Sequence, residues 1–283
     1  MIISHDVDHL SAREHARDLI IPKFLIRSCM ELLSGGISPH ECRLRLSSVL
    51  HAKEWQNIHE LMRFDRSQGV PSTFFLGVSK DLGMAYGAEA ARPWIETIRA
   101  NGFAVGLHGV CFDDWAGIKG EQELFRSISG LEDFGTRMHY LRLDDSTLEL
   151  LSAAGYMYDS TEYALENPYR VSRMYEFPVQ IMDVRLIYSR SRVRPLSLGE
   201  AQKETARLVD EAMRRNLEYF TVLSHDRYFC RNYRAWRDWY LWTIEFLQAR
   251  QFEFVSFDQA VREMEIQPGA SEPAFDTARR EAT

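Results

Sequence analysis

Cysteine is scarce in this 283-residue chain, and the four present (Cys29, Cys42, Cys111 and Cys230) show no CxxC spacing and no framework density. That excludes a disulfide scaffold and reads as small buried apolar residues in a reduced protein. Long apolar runs are missing as well. The best candidate, residues 18–33, is broken by Lys23 and Arg27, so nothing reaches the roughly 18 to 20 residues of a membrane span. An excess of positive charge is also absent: 34 Lys and Arg stand against 41 Asp and Glu, a net of −7, which argues against nucleic acid as the main partner. The front of the chain, Met1-Ile2-Ile3-Ser4-His5-Asp6-Val7-Asp8, carries no basic segment followed by an apolar core, so the expected location is cytoplasmic. With 45% hydrophobic residues the chain is globular, and its length allows one large domain or two small ones.

Along the chain, short apolar segments alternate with amphipathic ones, and no internal repeat is found. Met1 to Ser4 reads as a strand that delivers His5-Asp6-Val7-Asp8-His9 at its carboxyl end. Residues 10–63 are largely helical in pattern, with a break at Ser34-Gly35-Gly36-Ile37-Ser38-Pro39, and form an excursion before the next strand within 69–77. A helix over 89–100 tolerates Pro93 only in its first turn. Further strands are expected at 103–107, near 138–141, at 177–187, 219–223 and 252–256. Helices are expected at 120–131, 146–154, 198–215, 236–250 and 257–265. This rhythm, with polar residues gathered at strand carboxyl ends, argues a parallel α/β barrel or an open parallel sheet. From Gln267 onward the apolar period stops, so the expected organisation is one domain over 1–266 and a disordered tail over 267–283.

The sharpest local feature is Asp6-Val7-Asp8 on an extended segment. Alternate strand residues share a face, so both carboxylates enter one site while His5 and His9 face the other way unless the chain bends. Two close carboxylates require a cation or a shared proton between them. His108 and His225 each follow another apolar strand. Together these strand ends hold a base, a mixed Asp/His metal site and an acid, the groups that metal-assisted hydrolysis needs.

The order of motifs resembles the polysaccharide deacetylase family, the NodB-homology domain of carbohydrate esterase family 4. Ser4-His5-Asp6-Val7-Asp8 stands where that family has Thr-Phe-Asp-Asp-Gly. Gly69 to Phe75 resembles its Gly-Val-Pro-Ala-Thr-Phe-Phe, and Gly102 to His108 its histidine phrase. Arg137-Met138-His139-Tyr140-Leu141 echoes its Arg-x-Pro-Tyr-Gly, and Leu223-Ser224-His225 its last motif. The resemblance spans residues 1–264. It implies an α/β fold, a deformed (β/α) barrel with a helical insertion after strand 1, and removal of an acetyl or formyl group from an N-acylated sugar.

Carried over, Asp6 would be the general base, Asp8 and His108 ligands of a divalent metal, zinc by preference, Arg137 the group that orients the base, and His225 the general acid. Asp183, after Phe177-Pro178, would support the site from behind. The family's second histidine is Phe112 here, which cannot bind a metal. A third ligand would then come from Asp113 or Asp114, from His5 or His9, or, the preferred choice, from His139; the remaining alternative is that no metal binds. Trp115, Arg142, Asp226 and Tyr228 follow these motifs and would contact substrate. The expected partner is an N-acylated sugar, a nucleotide-linked sugar or a lipid-linked glycan precursor in cell-surface polysaccharide or O-antigen synthesis. A second reading is a catalytically lapsed barrel that binds a glycan.

Overall fold

The computed structural model describes residues 1–16, 18–51, 55–188 and 195–266. The expected tail over 267–283 lies outside them. Nine strands form one sheet: β1 (Ile2–Val7), β2 (Thr73–Leu76), β3 (Ala104–Gly109), β4 (Thr136–Met138), β5 (Tyr158–Asp159), β6 (Tyr169–Val171), β7 (Met174–Glu176), β8 (Val179–Met182) and β9 (Thr221–His225). The order across the sheet is β6-β7-β5-β4-β3-β2-β1-β9-β8, and every pairing is parallel except β6 with β7. The sheet curls into an incomplete barrel. Side chains of β4 and β1, with β3 and β2 between them, meet across its concave face, where Arg137 reaches Ser4 and Asp6.

Between β1 and β2 the excursion holds a 3₁₀ turn at Ala12–His15 and helices α1 (Ile20–Leu33), α2 (Pro39–His51) and α3 (Ile58–Ser67). The chain reverses between α1 and α2 at Gly35, whose φ of +72° is the conformation the expected break requires. A buried arginine fixes the hairpin: Arg45 donates to Glu31 of α1 at 2.6 Å, to Glu41 at 2.9 Å, and to the Asn232 carbonyl beyond β9 at 2.7 Å. Helices α4 (Ala88–Ala100), α5 (Trp115–Ser129), α6 (Thr147–Ala154), α7 (Asp183–Ile187), α8 (Leu198–Arg214), α9 (Arg234–Ala249) and α10 (Phe257–Ile266) complete the fold.

Strand alternation sorts the interior into layers. Outward residues such as Ile3, Val7, Phe74, Leu76 and Leu107 pack under the helices in the larger apolar cluster. Inward residues at the start of the strands form a smaller apolar floor of Ile2, Phe75, Tyr158, Phe177 and, from α10, Phe257, whose ring stacks on Tyr158 at 4.6 Å. Gly106 and Gly135 make room for it. A Cβ at Gly106 would stand 2.5 Å from the Phe75 ring, and one at Gly135 2.1 Å from that of Tyr158. Above this floor the inward positions turn polar, which places ionisable groups only at the carboxyl ends of the strands.

Several sequence expectations are corrected. Residues 252–256 are not a strand: Val255 only donates to the Met1 carbonyl at 3.0 Å, which ties the segment to the start of β1. The segment 177–187 is strand for four residues and then helix α7, because Asp183 turns back to bond the strand next to it. Helix α5 begins at Trp115 rather than near Gly120, since Asp114 caps it by accepting from the Gly117 amide at 2.7 Å. Pro93 lies in the second turn of α4, on an exposed side where water can satisfy the carbonyl it leaves free. The hairpin β6–β7 gives no clear sequence signal, its strands being three residues each.

On the convex side Asp159 and Glu176 face each other, fully buried. Glu176 Oε1 accepts the amides of Thr161 and Glu162 at 3.1 and 2.9 Å, while Thr161 Oγ1 donates to Asp159 Oδ1 at 2.7 Å. The remaining oxygens, Asp159 Oδ2 and Glu176 Oε2, have no other hydrogen-bond partner, so one proton is shared between them. Burial, with the Asp159 charge beside it, holds the Glu176 carboxyl well above the ordinary range. The native state therefore binds a proton that the unfolded chain releases above about pH 4.5, and stability falls as pH rises from there through neutrality. Glu176→Gln keeps a side-chain oxygen that accepts both amides and donates to Asp159 without a proton to lose. Urea unfolding from pH 5 to 8 is expected to show that decline in the wild type and a shallower one in Glu176→Gln, where Asp226 and the raised histidines still contribute.

Candidate functional site

Parallel register assembles the site. Asp6 on β1 lies beside His225 on β9, and His108 on β3 beside Arg137 on β4, so four chemically active side chains rise from adjacent positions of one rim. Three of them, Asp6, His108 and His225, open into a cavity of about 300 Å³ that Asp8 and His139 also line.

Arg137 is fully buried and lies 4.4 Å over the ring of Phe75. Its Nη1 donates to Asp6 Oδ1 and Ser4 Oγ at 2.9 Å each, its Nε to the Ser160 carbonyl at 2.7 Å, and its Nη2 to Ser160 Oγ at 2.8 Å. Burial pushes the Asp6 carboxyl up, but Arg137, followed by His108 and His225, outweighs it and leaves Asp6 below its ordinary value. The group is thus an ionised carboxylate in a dry place, with Oδ2 free to face the cavity 3.8 Å from His108 Nε2.

Three donors converge next to it. Asp8 Oδ1 is 3.3 Å from His108 Nε2 and 3.4 Å from His139 Nδ1, and those two nitrogens are 3.1 Å apart. The tautomers follow from the far side of each ring, where a backbone carbonyl can only accept. His108 Nδ1 donates to Arg137 O at 3.0 Å, and His139 Nε2 donates to Leu82 O at 3.0 Å. In the neutral rings both lone pairs therefore point at each other and at a carboxylate oxygen that is buried with no hydrogen-bond partner. Either protons or a cation must occupy that point. Ligands about 2.0 to 2.1 Å from a tetrahedral ion stand about 3.3 Å apart, which the three separations match. Without an ion the site draws protons instead: burial lowers His139 but the Asp8 carboxylate raises it further, above its usual value.

His225 closes the rim. Its Nδ1 donates to Asp183 Oδ1 and its backbone amide to Asp183 Oδ2, both at 2.7 Å, leaving Nε2 in the cavity 3.6 Å from Asp8 Oδ2. Burial lowers its pKa, but Asp183, then Asp8 and Asp6, carry it up to about 10. Asp183 is 1% exposed, behind the histidine.

The remaining sequence candidates fall in different places. Tyr228 lines the cavity. Trp115 sits on the first turn of α5, outside the cavity lining, and Asp114 is occupied as the cap of that helix. Arg142 also lies outside it; its guanidinium donates to Asp81, to Val110 O at 3.2 Å and to His139 O at 3.1 Å, and covers the Phe112 ring at 5.3 Å. Asp226 is fully buried and accepts the Asn57 amide at 2.9 Å; burial lifts its carboxyl to about 7. Phe112 packs against the core, its loop held by Glu121, which accepts the Val110 and Cys111 amides. His5 faces the convex side and bonds Asp65 at 2.9 Å, whereas His9 bends back to the cavity wall with Nδ1 bonded to His15 Nε2 at 2.8 Å.

Sequence reasoning missed two contributions. The first is the loop over His139. Tyr140 and Leu141 adopt positive φ of 60° and 52°, a strained pair for residues with side chains. The Tyr140 hydroxyl fits over Gly83, where a Cβ would stand 2.6 Å away. The second is the excursion, from which Lys23, Phe24 and Arg27 line the cavity. The signal for it was present as basic residues inside an apolar helix between β1 and β2.

No protein-family model and no curated protein matches the sequence. The fold does match solved structures. Two are proteins assigned as polysaccharide deacetylases, one from Mycobacterium smegmatis (TM-score 0.67, 15% identity, 96% of this chain and 93% of that one) and one from Pseudomonas aeruginosa (0.59, 16%, 94% and 91%). Puue allantoinase is similar at TM-score 0.60 and 14% identity over 94% of this chain and 90% of that one. The chain thus has the polysaccharide deacetylase fold, a deformed α/β barrel, along nearly its whole length.

Removing one of three converging donors is expected to cripple cation binding. Calorimetric titration with zinc should give a single site in the wild type, weakened about 100-fold or more in His139→Ala and unchanged in Phe112→Ala. Arg137→Met, which strands the buried Asp6 charge, should lower unfolding stability by about 3 to 5 kcal/mol.

Proposed function

We propose that the protein is a metal-dependent amide hydrolase that removes an acetyl or formyl group from an N-acylated sugar of a cell-surface glycan precursor. The observation that carries this is one cavity in which an arginine-held carboxylate and an aspartate-held histidine flank the three converging donors. Asp8, His108 and His139 would hold a divalent ion. The chemistry such an ion supplies is polarisation of the acyl carbonyl and acidification of water.

The chain's own groups then have separable tasks. Asp6, kept ionised by Arg137, takes the proton of the attacking water through Oδ2, the oxygen that Arg137 leaves free. His225 begins as an imidazolium, because Asp183 raises it, and gives its Nε2 proton to the departing amine. The base and the acid are tuned in opposite directions by their neighbours, as an acid–base pair working near neutral pH requires. Phe24, Tyr140 and Tyr228 line the cavity and offer ring faces to a sugar. The two deacetylase-fold neighbours support the reading, while the allantoinase shares the fold with a different named substrate, so the sugar assignment rests on this lining.

Phe112 favours the lapsed-barrel reading, since it leaves out a histidine of the resembled family. Against that, a module that only binds glycan needs neither Asp183 behind His225 nor Arg137 on Asp6.

The test is release of acetate or formate from N-acylated sugars by the zinc-loaded protein. Asp6→Asn is expected to lower kcat by about 10² to 10⁴, and His225→Ala by a similar factor with KM nearly unchanged. Wild-type and Asp6→Asn protein with equal, background turnover on every such amide would sink the enzyme reading. Asp183→Asn removes the charge that raises His225, so the alkaline limb of the pH–rate profile should move down by about one pH unit or more.

A further inference from the structure

Helix α1 faces two ways. Its inner side gives Lys23, Phe24 and Arg27 to the cavity, and Arg227, from the turn after β9, joins them. The carboxylate on that wall, Glu31, is already engaged by the buried Arg45 at 2.6 Å, with Arg27 Nε 3.3 Å away. Arg227 is held by aromatic faces instead, 4.2 Å over Trp55 and 4.9 Å over Phe24, and Arg27 lies 3.5 Å over Tyr188. Neither Lys23 nor Arg227 pairs with a carboxylate among the described residues. In an acidic protein, three cations with donors to spare therefore gather beside the donor triad. Stacked guanidinium groups keep their N–H edges for a planar or tetrahedral oxyanion, and the two unesterified oxygens of a phosphate diester match several such donors.

The outer side of α1 is apolar. Leu19, Ile26, Met30 and Leu33 are 66, 61, 41 and 87% exposed, at spacings of seven, four and three that put them on one stripe. They are four of the ten exposed large hydrophobic residues among the described residues, gathered on the helix whose inner side lines the cavity. An apolar stripe bordered by Lys23 and Arg27 is the pattern of a helix lying at the headgroup level of an anionic lipid surface. A second copy of the chain is the poorer occupant, because a two-fold contact over this stripe would bring Lys23 and Arg27 against their own counterparts.

We propose that the substrate is an N-acylated sugar esterified to a lipid phosphate, with the phosphoryl group held by Lys23, Arg27 and Arg227 and the lipid left in a bilayer on which the outer face of α1 rests. The sugar part of this rests on the hydrolase reading; the phosphate and lipid parts do not.

The full chain would be sedimented with vesicles of phosphatidylcholine alone and of equal parts phosphatidylcholine and phosphatidylglycerol. Binding is expected only to the second. It should fall roughly tenfold or more in Ile26→Asp/Leu33→Asp, whose exposed positions leave folding and zinc binding intact, the latter read by calorimetry. Inorganic phosphate should bind the wild type, and Arg27→Gln/Arg227→Gln should weaken it about tenfold or more. Absence of vesicle binding, or binding that survives the aspartate substitutions, overturns the proposal. Phosphate binding without vesicle binding points to a soluble phosphorylated sugar, and a dimer abolished by the same substitutions makes a second copy the occupant; either result overturns the lipid assignment. Vesicle and phosphate binding in a protein without any amide hydrolase activity would remove the hydrolase reading and support the lipid-phosphate site.

Discussion

A guanidinium with no access to water organises this barrel. Burying Arg137 costs several kcal/mol unless its charge and its N–H groups are all met. Four of its five N–H groups are met by hydrogen bonds, and these hold only if β1, β4 and the end of β5 keep their present curvature and register, because the partners come from Ser4, Asp6 and Ser160. The apolar floor beneath it supplies the remaining condition. Phe75 gives the cation a ring face, and Gly106 lets that ring lie flat against the sheet. The same contact that engages the arginine leaves Asp6 ionised and half engaged, so the requirement of the fold and the state of that carboxylate have one origin.

The donor triad is arranged on a similar principle, with the backbone setting protonation. Carbonyls of Arg137 and Leu82 take the outer hydrogens of His108 and His139, which in the neutral rings makes the inner nitrogens acceptors. Neither carbonyl belongs to a side chain, so the arrangement depends on strand ends and loop shape rather than on residue identity. That explains how a histidine on the β4 turn stands beside His108 while position 112 holds a phenylalanine packed under Arg142.

Much of this was legible in the sequence, for identifiable reasons. Asp6 and Asp8 share a face because strand alternation has a fixed period, and His108 and His225 announce themselves at the ends of apolar runs. Trp115 and Arg142 were placed at the substrate because adjacency in sequence was read as adjacency in space. A cap at Asp114 starts a helix and carries the first away, and an acidic partner at Asp81 holds the second. The cations of α1 were invisible to motif reading, since what makes them part of the site is a helical hairpin folding back over the strand ends. Only long-range contacts such as that between Arg45 and the Asn232 carbonyl fix its position.

That hairpin enters after β1 and returns through α3 before β2, so the part of the wall it supplies, from Ile20 to Arg45, is one contiguous stretch, whereas the other cavity residues are dispersed over strand ends and turns. Exchange of α1 and α2 for another insert would replace that part of the wall in a single genetic event, with Asp6, Asp8, His108, His139 and His225 left in place.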